Sequence, residues 1–263
     1  MRCPPFEPHA SLVPFAPATV RTLTVFGGSV QLVHVPTRRA RTDRATGDRP
    51  AFRRSQAARI VHEEACWHGD GLVLTPNLYP FAHQHRILWP TRPARDPDLT
   101  LWHAAGEWAD RADGAALVNT IGAAATIARA HAHLVCERLP FLGALPERRC
   151  DLDLADLPAD VELVAKDVPF CLLGVRGEAV ARARALLLLA EARLTSACNV
   201  IVQDGTAWLF PRRLETPAPH FPFALGAAEV WGRWCYVDEA EFSAATAIDL
   251  ERALVAAGME ALR

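Results

Sequence analysis

The apolar residues of this chain fall mainly in short runs closed by glycine, proline or aspartate, and few stretches sustain a helical period. That pattern restricts the fold to turn-connected strands with a few inserted helices. Arg21 to Phe26 and Ser29 to Val35 alternate apolar and polar residues about Gly27-Gly28, which predicts a β-hairpin. An arginine-rich loop is expected from Thr37 to Arg54. Gly71 to Thr75 and Arg86 to Trp89 read as strands, and Pro76 and Pro80 exclude regular structure between them. Asp98 can cap a helix from about Leu99 to Arg111, in which Leu101, Trp102, Ala105 and Trp108 share a face. Ala115 to Asn119 reads as a strand, Gly122 to Thr126 as a small-residue turn, and Arg129 to Cys136 as a strand with Arg129, His131 and His133 on one side. The outline then recurs: a strand at Val168 to Leu173, a helix from about Glu178 to Leu194, and strands at Asn199 to Gln203 and Thr206 to Phe210 about Asp204-Gly205. A strand near Trp231 to Val237 and a helix from about Asp249 to Leu262 close an α+β chain.

A length of 263 residues, 51% apolar and 22% charged, suits one large or two small domains with a substantial core and excludes long disorder. The formal charge of −2 gives no global field toward nucleic acid or an anionic membrane, so neither is expected as a partner. The seven cysteines (Cys3, Cys66, Cys136, Cys150, Cys171, Cys198 and Cys235) are scattered, without a Cys-x-x-Cys pair, and read as thiols of a reducing compartment. Met1 to Pro8 lacks a basic-then-apolar leader pattern, and the strongly apolar run Ala185 to Ala190 falls far short of the roughly 20 residues a span requires. A soluble, cytoplasmic protein is expected. Of 28 basic residues only Lys166 is lysine, leaving almost no candidate for Schiff-base chemistry, whereas arginine suits phosphate.

Two His-x-His pairs, His83-Gln84-His85 and His131-Ala132-His133, are the candidates for chemistry. On a strand such spacing aims both rings at one region, which serves catalysis or a metal, and which structural histidine pairs also adopt. The segment from Asn119 to His133, with Gly122, Ala123, Thr126, Arg129 and His131 in phase and followed by Leu139-Pro140-Phe141, resembles the active-site segment of the histidine-triad superfamily. Within it, the segment is similar to the GDP-hexose phosphorylases (GDP-L-galactose and GDP-D-glucose phosphorylase) of the galactose-1-phosphate uridylyltransferase-like branch. Leu72 to Pro90, with Asn77, Pro80 and His85, resembles the family's strand-loop-strand; Val25 to Arg39, Ala197 to Arg212 and Ala228 to Phe242 resemble its early hairpin, later hairpin and closing strand.

The resemblance implies a histidine-triad-like antiparallel sheet with flanking helices, organised as two pseudo-repeated halves in a single unit over residues 1–263. The first half, about 20–150, would carry the catalytic motif, and the second, about 151–263, would be a degenerate repeat. It implies a nucleotidyltransferase or phosphorylase acting on a nucleoside diphosphate sugar with phosphate, nearest to GDP-hexose phosphorolysis, without a cofactor. The ungapped register makes His131 the nucleophile and places His133 after it; sliding by two residues would make His133 the nucleophile. Asn77 would hold the ribose, and His85, Asn119, Gly122, Ala123 and Thr126 would surround the nucleotide and its phosphates. The branch commonly forms homodimers.

Arg129 departs from the pattern by replacing the first triad histidine, and Ala128 replaces an asparagine. A guanidinium cannot ligate the zinc that this position helps bind in some transferases of the branch. It can lower the pKa of His131 or clamp phosphate. Other readings stay open: a dinucleoside polyphosphate phosphorylase, a histidine-triad-type nucleotide hydrolase, a nucleotide-binding protein without turnover, or a cupin-like metal site of His83, His85, His131 and His133.

Overall fold

Strand pairing organises this chain. The computed structural model describes residues 13–38, 54–150, 152, 154–192 and 197–261, the side chains of 54–56 excepted. The expected arginine-rich loop beyond Arg38, Cys3 and the segment Met1 to Pro8 lie outside the described residues. In chain order the elements are β1 (Thr19–Val25), β2 (Gly28–His34), α1 (Arg54–Glu63), β3 (Trp67–Gly69), β4 (Leu72–Pro76), β5 (Arg86–Pro90), α2 (Leu99–Arg111), β6 (Ala115–Asn119), β7 (Ala132–Val135) and α3 (Phe141–Ala144). There follow β8 (Glu147–Arg149), β9 (Glu162–Lys166), β10 (Leu173–Arg176), α4 (Ala179–Glu191), β11 (Cys198–Gln203), β12 (Thr206–Pro211), α5 (Ala227–Trp231), β13 (Arg233–Tyr236), α6 (Glu239–Ala244) and α7 (Ala247–Ala257).

A ten-stranded sheet runs β3-β4-β5-β7-β6-β11-β12-β10-β9-β8, and a three-stranded sheet runs β1-β2-β13. Every pairing in the large sheet is antiparallel. Its order is symmetric about the β6–β11 seam. Outward from that seam the first half supplies β6, β7, β5, β4 and β3, and the second supplies β11, β12, β10, β9 and β8; α2 and α4 occupy the same place in each run. The strand order of the first run is therefore repeated in the second, which begins with β8 at Glu147, a little before the boundary near residue 150 expected from the sequence. One row of paired residues shows it: from the seam, Leu117, His133, Ile87 and Thr75 lie on one side, and Ile201, Trp208, Gly174 and Val164 on the other.

Side-chain alternation divides β6 between two cores. Ala116 and Val118 join Leu101, Trp102, Ala105 and Trp108 of α2 and Leu186 and Leu189 of α4 on one face. Ala115 and Leu117 join the small sheet, α3, α5 and α7 on the other. Burial of both faces explains why β6 is apolar without alternating. Asp98 Oδ1 accepts the Leu101 N–H at 2.9 Å and starts α2 as the sequence suggests. At the β11–β12 turn both Asp204 and Gly205 have positive φ, the geometry of a tight hairpin. Gly174 has a steric reason: a Cβ there would lie 2.6 Å from Trp208 and from Val164.

Three expected strands differ. The pairing of β7 begins at Ala132 instead of Arg129, because the Ala130 N–H donates to Ala94 O, away from the sheet. The run from Val168 to Leu173 is largely a crossing between β9 and β10, in which the Cys171 N–H donates to Met259 O; its apolar character comes from burial beside the end of α7. Trp231 belongs to α5, so the closing strand is the shorter β13. Lys166, the sole lysine, is buried: its Nζ donates to Leu145 O and Glu147 Oε1 and lies 4.4 Å from the centre of the Trp208 ring. No helix among the described residues is long and apolar enough to cross a membrane.

Leu117 is fully buried between His133 and Ile201 in the row across the seam. Leu117→Ala should cost about 2–5 kcal/mol through lost burial and a residual cavity, measured as the fall in stability on chemical denaturation.

Candidate active site

Pairing of β5 with β7 brings His85, just before β5, beside His133 in β7. His85 Nε2 lies 3.0 Å from His133 Nδ1. The backbone entering β7 adds His131, whose ring centre is 5.0 Å from that of His133. Trp89 of β5 lies against His131 at 4.7 Å, ring planes 31° apart, and its Nε1–H donates to Thr75. Phe81 places its ring edge-on to both His85 and His133.

Hydrogen bonds fix the protons on this trio. His131 Nδ1 lies 2.7 Å from the Arg129 carbonyl, which can only accept. His131 therefore carries its proton on Nδ1 and keeps a lone pair on Nε2. The Phe81 N–H donates to His85 Nδ1, so neutral His85 is protonated at Nε2 and donates to His133 Nδ1. His133 is left with its proton on Nε2. Asn77 adjoins this chain of bonds: the Tyr79 N–H donates to Asn77 Oδ1 at 2.9 Å, which turns the amide Nδ2 toward the edge of the His85 ring, where the unprotonated Nδ1 is the nitrogen able to accept from it.

Burial keeps the trio neutral. It pushes the His85 pKa well below 6.5, with the positive charge of Arg38 acting in the same direction. Burial does the same to His133, helped by neighbouring His131 and His85 and by Arg38. The His131 pKa is also lowered by burial; its bond to the Arg129 carbonyl opposes the shift and the Arg129 charge reinforces it. Arg129 thus acts on His131 by charge. Its guanidinium does not face outward beside the two histidines as a strand reading predicts: Nη2 donates to the carbonyls of Pro90 and Thr91, as the backbone before β7 directs it.

The remaining sequence candidates occupy two other places. Asn119 Oδ1, at the end of β6, accepts from Asn199 Nδ2 at 2.8 Å and from the Ala227 N–H at 2.7 Å. Gly122, Ala123 and Thr126 lie on the following loop, Thr126 exposed. The Ala123 N–H donates to Thr120 O and the Ala124 N–H to Glu215 Oε1, which ties this loop to the rest of the protein. Asn77, expected at the ribose, lies against the His85 ring. His83 is outside the trio: its N–H donates to Glu137 and its ring packs on Phe15 at 5.5 Å. The N–H···N bond between His85 and His133 also turns their facing atoms to each other, not to a common ion. No group of three or more metal-ligating side chains occurs among the described residues.

The sequence alone places Trp89 at the end of a strand and Arg38 in the arginine-rich loop, with no link to the histidines. Trp89 lies against His131, and Arg38 acts electrostatically on both His85 and His133, with its guanidinium carbon 5.9 Å from the centre of the Phe81 ring. Asn199, Arg212 and Glu215, which hold the 119–126 loop, were not singled out; the motif-bearing hairpin Ala197 to Arg212 was the available signal.

No family model matches the chain, and no curated protein matches it in sequence. Solved structures do match. Yeast Ap4A phosphorylase in complex with Ap4A superposes with a TM-score of 0.69 at 14% identity, covering 96% of this chain and 93% of that one. The chain has the Ap4A phosphorylase fold. The same yeast enzyme in complex with AMP gives a TM-score of 0.68 at 13% identity, over 93% and 89% of the two chains. Ap4A phosphorylase and this chain therefore share one architecture, the α+β fold with a large antiparallel sheet and flanking helices expected from the sequence.

Because the folded pKa values of these histidines lie below the unfolded value of 6.5, acidification protonates the unfolded chain first. Their contribution to stability is complete above that value and is lost as the pH falls through the folded pKa values. The thermal midpoint should therefore drop between about pH 7 and about pH 5, and drop less in His85→Gln. Arg129→Gln removes a cation and should raise the His131 pKa, read by NMR titration of its imidazole.

Proposed function

We propose that the chain is a nucleotidyl-transferring phosphorylase that cleaves dinucleoside polyphosphates through His131. The observation that carries this reading is the Nδ1–H bond from His131 to the Arg129 carbonyl, which leaves a neutral, unprotonated Nε2 as the nucleophile. Nε2 attacks the phosphorus nearest one nucleoside. The bond to the bridging oxygen breaks, a nucleoside polyphosphate departs, and a nucleotidyl-histidine remains. Inorganic phosphate then attacks the same phosphorus, releasing a nucleoside diphosphate and restoring His131. Each displacement requires positioning and charge neutralisation more than acid-base machinery. His133 donates through Nε2–H to the departing phosphate, held in that tautomer by the bond from His85. Arg38 supplies positive charge beside the histidines.

The fold shared with an enzyme crystallised with Ap4A favours two nucleosides over a nucleoside and a sugar. The ungapped motif from Asn119 to Pro140 supports a second reading, GDP-hexose phosphorolysis, by the same chemistry with a sugar 1-phosphate as leaving group. The substrates separate the two readings. Incubation with Ap4A, Gp4G, GDP-glucose, GDP-mannose and UDP-glucose, each labelled at the nucleoside-linked phosphate, should place an acid-labile, base-stable label on His131. Ap4A or Gp4G should label the protein best, and added phosphate should discharge the label as nucleoside diphosphate. Discharge by water alone would identify a hydrolase, and labelling only by GDP-sugars would select the second reading. His131→Ala should lose the label and about ten-thousandfold or more in turnover. Unaltered turnover in that variant would remove His131 from the mechanism.

A further inference from the structure

The loop of residues 119–126 is held by side chains of the opposite half. Its backbone is demanding: Ala124 has a φ of +68° and Gly122 a φ of +86°. Alanine is rarely found at such a φ, and it persists there only where surrounding contacts over-determine the conformation. Those contacts converge on Arg212 at the end of β12, whose side chain is buried.

All five guanidinium N–H groups of Arg212 can be assigned. Nε donates to Leu214 O, Nη1 to Asn199 Oδ1 and Leu225 O, and Nη2 to Leu214 O and Glu215 O, at 2.6–3.1 Å. The bond to Asn199 Oδ1, at 2.7 Å, decides which way that amide faces. With its oxygen on Arg212, Asn199 directs both Nδ2 hydrogens at the loop, one to Asn119 Oδ1 and one to Ala123 O, each at 2.8 Å. Arg212 also binds the Glu215 carbonyl, and the Glu215 side chain accepts the Ala124 N–H at 2.8 Å. A single buried fork thus anchors the carbonyl of Ala123 and the amide of Ala124 on either side of one peptide bond.

β6 pairs antiparallel with β7, Leu117 opposite His133, so the loop leaving β6 at Asn119 starts alongside the segment that carries His131. We propose that Arg212 is a positioning residue, acting through Asn199 and Glu215 to fix the 119–126 loop in the shape that seats the nucleotide beside His131. The inference rests on the nucleotidyl-transfer reading above and adds to it that the second half of the chain sets nucleotide affinity. Lysine cannot substitute, because one ammonium cannot reach acceptors spread around a planar fork. Asn199→Asp is the sharper probe. It keeps size and the bond from Arg212, and it replaces two donors to the loop with an acceptor that repels Asn119 Oδ1 and Ala123 O.

The experiment uses the full chain and whichever nucleotide labels the wild-type protein. Steady-state kinetics are measured for Asn199→Asp, Arg212→Lys and, as a control, Arg182→Lys, which perturbs a buried arginine bonded to Asp110 between α2 and α4. Asn199→Asp and Arg212→Lys should raise KM for the nucleotide about tenfold or more with kcat changed less than about threefold, as expected for lost binding common to ground and transition states. Arg182→Lys should lower the thermal midpoint without moving KM. A labelled wild type with unaltered KM in folded Asn199→Asp overturns the positioning role alone. A wild-type protein that no nucleotide labels overturns the nucleotidyl reading and this role with it.

Discussion

The antiparallel pairing of β6 with β11 is the contact on which the rest of the molecule depends. It joins two similar strand-helix runs into one sheet, and it buries β6 on both faces. Its last rung sets Asn119 opposite Asn199, and the same two residues are joined by a side-chain hydrogen bond. The seam therefore does more than add strands. It carries the loop after β6 against the second half, and it orders β7 and β5 on the other side so that His133 and His85 meet across neighbouring strands. A one-residue slip of β6 would turn its own side chains, Asn119 among them, to the opposite face.

The histidine site relies on enclosed neutrality. Burial disfavours the imidazolium forms, and the arginines nearby act in the same direction. A backbone carbonyl and a backbone amide, neither able to exchange roles, assign the protons at the two ends of the trio. The lone pair on His131 Nε2 is thus free of a proton without a separate base. Arg129 fits this arrangement because its guanidinium is held on the Pro90 and Thr91 carbonyls, close enough to influence His131 and already bonded elsewhere. The histidine it replaces in the motif could have exchanged protons; arginine contributes a fixed charge.

Much of this was legible in the sequence, for identifiable reasons. β6 was readable from Ala115 to Asn119 because four small or apolar residues, Ala115 to Val118, lie between breaks. The α2 start was readable because a capping aspartate precedes a helical stripe. The pairing of histidines by alternate spacing pointed to His131 and His133. The start of β7 was not legible, because Arg129-Ala130-His131 alternates like a strand while its hydrogen bonds run to Ala94 and back to its own carbonyl. The stretch before β10 was equally opaque, since a short buried run looks the same whether it pairs or crosses. Local sequence also gave no account of Asn199, which bonds to Asn119 across a separation of 80 residues, or of Arg212, which acts through it.

The sole lysine illustrates how differently the two halves use one geometry. In the row across the sheet, Trp208 stands where the symmetry of the strand order places His133, and Lys166 lies against the Trp208 ring. The second half fills with an aromatic ring and a sheltered ammonium the region that the first half gives to imidazoles. A consequence reaches beyond the site. The only side-chain amine of the protein is sealed inside its fold, so an amine-selective reagent would meet it only when that part of the sheet opens. The chain carries within it a single chemical reporter of its own breathing.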